Sequence, residues 1–268
     1  MTAGISARLE RIGSDGRYLI VPMDHGITIG AVTGLADIES TIDAVTSGGA
    51  DAVLTQKGLA PRVHPNTNGS GYIVHLNAST DIGPDTNDKR TVGSVLEAVR
   101  AGADAVSYHI NVGSEYEPHQ FEELATITAE ADRYGMPVLA MTYARGRHLP
   151  PSEDPEHHPD NLAHAVRIGE ELGADIVKTA YSGDADSFDR VVEATALPVV
   201  IAGGSKGTNR ETVAMVRGAM DAGAAGVSMG RSIFQHDDPA GITRAVAAVI
   251  HDDADPDEAL AAGELSAD

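Results

Sequence analysis

The chain has 268 residues, is 42% hydrophobic and carries 19 basic against 40 acidic side chains, a formal net charge of −21. One α/β barrel fills about 250 residues, so a single domain accommodates this length, and the apolar fraction excludes disorder as the main state. The acidic balance excludes a grip on nucleic acid or on an anionic membrane, since both need clustered Lys and Arg.

Cys is absent, which removes disulfides, thiolate zinc ligands and Cys nucleophiles together. Only four cations are Lys: Lys57, Lys89, Lys178 and Lys206. Sparse Lys in a carboxylate-rich chain resembles a halophilic composition, so a Lys inside an apolar run stands out. The N-terminal stretch has no apolar signal-peptide core, and no run reaches the about 18 apolar residues a membrane helix needs. The expected location is cytoplasmic.

In chain order, short Val- and Ile-rich runs recur at residues 19–23, 52–56, 72–76, 105–110, 138–142, 176–179, 199–202 and 226–229. Between them, residues 91–101, 119–134, 160–172 and 210–222 show the i, i+3, i+4 apolar spacing of amphipathic helices. Four runs are entered through one phrase: Gly49-Ala50-Asp51-Ala52, Gly102-Ala103-Asp104-Ala105, Gly173-Ala174-Asp175-Ile176 and Gly223-Ala224-Ala225-Gly226. A glycine suits the left-handed turn that ends a helix, and the small residues lead directly into a buried strand. Pro137 and Pro198 precede their strands, where a missing N–H costs no ladder bond. The fold predicted is α/β: a parallel eight-stranded (β/α)8 TIM barrel in one domain over residues 1–268. A doubly wound sheet is the alternative, but Met23-Asp24-His25-Gly26 after the first run is no glycine fingerprint. Residues 60–71 and 148–160 read as loops. The acidic tail from about residue 251 reads as a solvated end with one or two helical turns.

Barrel active sites lie at the C-terminal ends of the strands. There the chain places Asp24-His25-Gly26, Gln56-Lys57, His75, His109 and Asn111, Tyr143-Ala144-Arg145-Gly146, Lys178-Thr179, Gly203-Gly204 and Gly230-Arg231. Lys178 shares a strand face with Ile176, the interior face of a barrel. Burial favours a neutral amine there, able to attack a carbonyl and form a Schiff base. The alternatives are a Lys reaching out of the mouth or paired with a carboxylate, and Lys57 is the competing nucleophile. Asp24 and Tyr143 suit proton transfer as acceptor and donor, or serve as a loop cap and a rim aromatic. Gly203, Gly204, Gly230 and Arg231 follow the last two strands, where barrels commonly bind phosphate; two ordinary turns are the other reading, and Arg145 is a further anion binder. The eleven His show neither HxxxH nor HxH spacing, so no metal site is expected, and a Ser nucleophile elbow is not expected either.

Val21-Pro22-Met23-Asp24-His25-Gly26, Tyr143-Ala144-Arg145-Gly146, Asp175-Ile176-Val177-Lys178-Thr179, Ala202-Gly203-Gly204 and Gly230-Arg231-Ser232-Ile233-Phe234-Gln235 together resemble the archaeal class I aldolase family, from about residue 9 to 262. Within it the chain looks most like the branch that runs a transaldolase-type step. That resemblance implies a Schiff base between Lys178 and 1-deoxy-D-threo-hexo-2,5-diulose 6-phosphate. Cleavage releases hydroxypyruvaldehyde phosphate, and the enamine left behind adds to L-aspartate 4-semialdehyde. The product is 2-amino-3,7-dideoxy-D-threo-hept-6-ulosonate, at the head of a route to 3-dehydroquinate and the aromatic amino acids. The family's proton acceptor carries over to Asp24 and its donor to Tyr143. Its substrate contacts carry over to Asp24, His25, Gly26, Ile27, Thr28, Tyr143, Ala144, Arg145 and Lys178, with Gly203, Gly204, Gly230 and Arg231 at the phosphate. No cofactor is implied, and a closed homo-oligomer is. Ala144 stands where the family often has Pro, and the insertion around residues 155–159 looks long. Fructose-bisphosphate aldolase shares the Lys, Tyr and Asp, but the resemblance to it is weaker at Met141, where a Trp is expected. A thiolase acting on a phosphorylated dione and a non-catalytic sugar-phosphate-binding barrel are further alternatives.

Overall fold

The computed structural model describes residues 2–204 and 207–268. Each apolar run becomes a strand: β1 Tyr18–Pro22, β2 Ala52–Gln56, β3 Gly71–His75, β4 Ala105–Val112, β5 Val138–Ala144, β6 Ile176–Thr179, β7 Val199–Ala202 and β8 Gly226–Ser228. Every strand pairs in parallel with the next, and β8 returns to β1 through Tyr18↔Gly226, so the sheet closes into the predicted barrel.

Side chains alternate between two cores. Ile20, Leu54, Ile73, Leu139, Ile176 and Val200 point into the barrel. Leu19, Val21, Val53, Val74, Val177 and Ile201 point outward against the helices. The inner core has a stopper that the sequence reading did not pick out. Helix α1, Ala3–Ile12, lays Ile5, Leu9 and Ile12 across the N-terminal end of the barrel. Their i, i+4, i+7 spacing is the stripe an amphipathic helix needs.

The repeated entrance phrase has a structural task. The Asp51 carboxylate accepts from Leu19 N at 2.6 Å, Asp104 from Tyr72 N at 3.0 Å and Asp175 from Val138 N at 2.9 Å. Each Asp also donates its own N–H to the carbonyl of the residue it bonds. The carboxylate thus satisfies a donor at the start of the preceding odd-numbered strand, which would otherwise be orphaned at the barrel floor. The fourth copy has Ala225 instead, and there Tyr18 N bonds the Ala225 carbonyl at 2.9 Å. The chain passes so close that a Cβ on Gly226, at φ +137°, would stand 2.0 Å from the Tyr18 carbonyl oxygen. Gly226→Ala is expected to destabilise the barrel by about 3 kcal/mol through strain and overpacking, measured by denaturant unfolding at constant salt.

The helical layer comprises α2 Ile38–Ser47, α3 Val95–Arg100, α4 Glu117–Arg133, α5 Pro159–Glu171, α6 Ala185–Val192, α7 Asn209–Asp221, α8 Arg231–Phe234, α9 Pro239–His251 and α10 Pro256–Gly263. The helix expected over 91–101 starts late. Arg90–Thr91 instead pairs antiparallel with Asn77–Ala78, and Ser94 opens α3 in a capping box with Glu97. The tail is less solvated than expected. Asp255 caps α10, and Ala259 and Leu260 are buried as it packs on α9. Among the described residues no helix is long and apolar enough to cross a membrane.

Candidate active site

Three strands carry the candidate residues to one mouth of the barrel. Beyond β1 the chain turns through Asp24 and His25 into a short helix, Gly26–Ile29. On β6, Lys178 follows Ile176 by two residues, so it points inward, 5% exposed, between Met141 and Val200 in register. On β5, half-buried Tyr143 stacks on His109 at 4.9 Å between ring centroids, and the Arg145 guanidinium lies 5.0 Å over its ring. Asp24, Tyr143 and Lys178 all line one cavity of about 530 Å³ at the C-terminal mouth of the barrel.

The electrostatics give Asp24 a definite state. Its carboxylate lies 3.7 Å from His75 Nε2 and 3.6 Å from His25 Nδ1. Burial pushes the carboxyl up, but the charges that His75 and His25 take on at acid pH, together with Lys178, outweigh it and hold the group below the ordinary Asp value. Asp24 is therefore ionised at neutral pH. Burial drives His75 down to about 4, against the pull of Asp24 and with help from Lys89 and Lys178, so that imidazole is neutral. His75 Nδ1 bonds Ser107 Oγ at 2.7 Å, which fixes the ring. His109 is also held neutral, chiefly by burial, with Nε2 bonded to Asn111 Oδ1 at 2.8 Å.

The glycines after β7 and β8 form the opposite wall. A Cβ on Gly230 would meet His25 at 2.6 Å and the Pro22 carbonyl at 2.7 Å, so only Gly lets this turn pack against the β1 loop. Gly204 has φ +62° and nothing within 4 Å of its would-be Cβ, which leaves its backbone open to an approaching anion. Ser232 Oγ donates to the Gly203 carbonyl at 3.2 Å, and Arg231 Nη2 lies 3.5 Å from the Gly204 carbonyl. Ser228, on β8, lines the cavity with a buried hydroxyl that makes no hydrogen bond within the described protein.

Residues 18–236 match the DeoC/LacD family aldolase model. The chain belongs to that family. It is 63% identical, over 99% of its length and 98% of the relative's, to the 2-amino-3,7-dideoxy-D-threo-hept-6-ulosonate synthase of Halobacterium salinarum. Synthase 1 of that name from Archaeoglobus fulgidus is 43% identical over 92% of this chain and 91% of its own. The class 1 fructose-bisphosphate aldolase of Halobacterium salinarum is 34% identical over 93% of this chain and 96% of its own. Among solved structures, a Schiff base-forming fructose-1,6-bisphosphate aldolase superposes with a TM-score of 0.84 at 32% identity, covering 92% of this chain and all of that one. The chain is thus an aldolase-family enzyme on the predicted barrel.

Within this family frame, the cavity gathers most of the residues singled out in the sequence. Asp24, His25, Thr28, Tyr143, Ala144, Arg145, Lys178, Gly203, Gly204, Gly230 and Arg231 line it, whereas Gly26 and Ile27 do not, and Ile27 is 42% exposed. Lys57, the rival nucleophile, pairs with Glu97 at 2.6 Å outside the cavity. Lys206 lies outside the described residues. The 148–160 insertion reaches back to the mouth. Its Glu156 and His157 join the lining, and Glu156 lies 3.7 Å from Arg145. Two further lining residues, Asp81 and Lys89, carried no signal in the sequence, because they sit in an irregular segment after β3 with no periodicity to place them.

Proposed function

We propose that this enzyme takes a three-carbon unit from 1-deoxy-D-threo-hexo-2,5-diulose 6-phosphate and joins it to L-aspartate 4-semialdehyde, giving 2-amino-3,7-dideoxy-D-threo-hept-6-ulosonate. The observation that carries the reading is a buried Lys178 sharing one cavity with an ionised Asp24 and with Tyr143. Lys178 Nζ adds to the C2 ketone, and loss of water leaves an imine. Asp24 accepts the proton of the C4 hydroxyl as the C3–C4 bond breaks, and the bonding pair moves into an enamine. Hydroxypyruvaldehyde phosphate departs, carrying the phosphate. The enamine carbon then attacks the aldehyde of aspartate semialdehyde while Tyr143 gives a proton to the new alkoxide, and the proton that Asp24 took up returns to Tyr143. Water hydrolyses the product imine and frees Lys178, replacing the water lost at the start. The product belongs to a cytoplasmic biosynthetic route to 3-dehydroquinate.

Charge favours this pair of substrates over a sugar bisphosphate. A second phosphate would need its own cationic pocket, but Arg145 is engaged by Glu156 and Lys89 has Asp24 and Asp81 near it. The 63% identity to the synthase against 34% to the aldolase from the same species points the same way. Incubating the pure protein with the diulose phosphate and aspartate semialdehyde is expected to give the amino-dideoxy-heptulosonate by mass spectrometry. Rapid cleavage of fructose 1,6-bisphosphate without that product would reverse the assignment of substrate.

Gly203, Gly204, Gly230 and Arg231 would hold the phosphate until it leaves, by open backbone and a charge-assisted fork. Gly204→Ala sets a methyl group in the space the anion needs. Its KM for the diulose phosphate is expected to rise about tenfold, roughly one lost charge-assisted hydrogen bond. Steady-state kinetics with the phosphorylated donor varied are the check, and an unchanged KM would move the phosphate toward Arg145.

A further inference from the structure

Lys89 is the cation that the proposed mechanism leaves without a task. It lies between β3 and α3, only 9% exposed, and lines the cavity together with Asp24 and Asp81. Its ammonium donates to Ser79 Oγ at 2.7 Å and forms no ion pair among the described residues. The contrast with Lys57, paired with Glu97 at 2.6 Å, is informative in a chain holding 40 carboxylates. A buried charge is costly unless something compensates it. Burial pulls the Lys89 pKa below the ordinary lysine value, and the nearby carboxylates Asp24 and Asp81 oppose that pull. An ammonium that is buried, unpaired and turned to a substrate cavity is built to meet an anion that arrives with the ligand.

Position and charge type narrow that anion. In a closed eight-stranded barrel, the segment after β3 lies across the mouth from β7, whose glycines the function above assigns to phosphate. A phosphate dianion at Lys89 would have to sit beside both Asp24 and Asp81 with one ammonium to offset them. A carboxylate asks for less, and Asp81 then becomes an asset. Its backbone N–H bonds the Thr28 carbonyl at 3.1 Å, tying the segment to the turn that carries Asp24. An ammonium and a carboxylate at one end of the cavity complement the two charges of an α-amino acid.

We infer that Lys89 and Asp81 form the subsite for the amino-acid end of the aldehyde acceptor, Lys89 taking its α-carboxylate and Asp81 its α-ammonium. The inference rests on the function proposed above and names the residues that would select that acceptor.

Three acceptors of equal carbon count separate the charges: aspartate 4-semialdehyde, 4-oxobutanoate, which lacks the amine, and butanal, which lacks both. With saturating diulose phosphate, the wild-type kcat/KM is expected to drop about tenfold or more with each group removed, as for truncated charge pairs. In Lys89→Met the preference for 4-oxobutanoate over butanal should collapse. In Asp81→Asn the preference for aspartate semialdehyde over 4-oxobutanoate should collapse instead. Borohydride trapping of the donor imine reports that each variant keeps a folded site. Should Lys89→Met not trap, Lys89→Gln removes the charge while keeping a polar group for Ser79, and carries the same comparison. Wild-type discrimination in both variants, or an equal loss on all three acceptors, overturns the subsite while the synthase reading stands. A wild-type enzyme that cleaves fructose 1,6-bisphosphate and uses none of the three acceptors overturns both.

Discussion

Lys178→Met is expected to lose about five orders of magnitude in kcat, the scale seen when a covalent nucleophile is removed, and to lose the borohydride-stable adduct entirely. The wild-type adduct, formed with the diulose phosphate alone, should map to the peptide containing Lys178. Lys178→Arg is the sharper variant, because it keeps a cation of similar length yet cannot be deprotonated to attack a carbonyl. The structure explains why no other described Lys should substitute. Lys57 is tied to Glu97 outside the barrel mouth. Lys89 does reach the cavity, but from the β3 side, away from the β6 position between Met141 and Val200. An adduct on Lys89 in Lys178→Arg would therefore move the nucleophile across the barrel, with consequences for the acceptor subsite as well.

The barrel was legible because its strands are short, β-branched and buried on both faces, and because one phrase enters four of them. The phrase repeats for a physical reason that only the folded chain reveals: Asp51, Asp104 and Asp175 each satisfy a backbone donor on the preceding strand. Lys178 could be placed on the inner face by counting two residues from Ile176, and period-2 arguments of that kind survive folding. The Tyr143 and Gly204 positions were reachable in the same way, as strand ends. Helix α1 was missed because it precedes the first strand, although Ile5, Leu9 and Ile12 display its stripe. Asp81, Lys89 and Glu156 were beyond reach for another reason. They lie in loops without a period, and long-range folding alone brings them to the mouth. Gly26 and Ile27 show the opposite limit: neighbours of Asp24 in sequence, they leave the cavity because the short helix after β1 turns them away.

Asp24→Asn should separate proton transfer from imine formation. The neutral amide retains the shape of the carboxylate but cannot accept the C4 hydroxyl proton, so kcat is expected to fall by about 10²- to 10⁴-fold. The donor imine on Lys178 should still be trapped by borohydride, now accumulating as the uncleaved six-carbon adduct, detected by the mass of the intact modified protein. A three-carbon adduct, or none, would mean that Asp24 is not the group that opens the C3–C4 bond. Linkage sets the accompanying stability change. The folded-state pKa of Asp24 lies below the ordinary value of 3.8 because His75, His25 and Lys178 favour its charged form. A depressed carboxyl contributes stability above its unfolded pKa and loses it as pH falls through the folded value. Asp24→Asn is therefore expected to be less stable than wild type at pH 7, with the difference smaller at pH 3, below the ordinary Asp value, where the contribution of the depressed carboxyl begins to be lost. Urea unfolding at the two pH values tests the sign. A variant more stable at pH 7 would mean that the folded site disfavours the Asp24 charge, leaving a carboxyl whose proton is held rather than accepted.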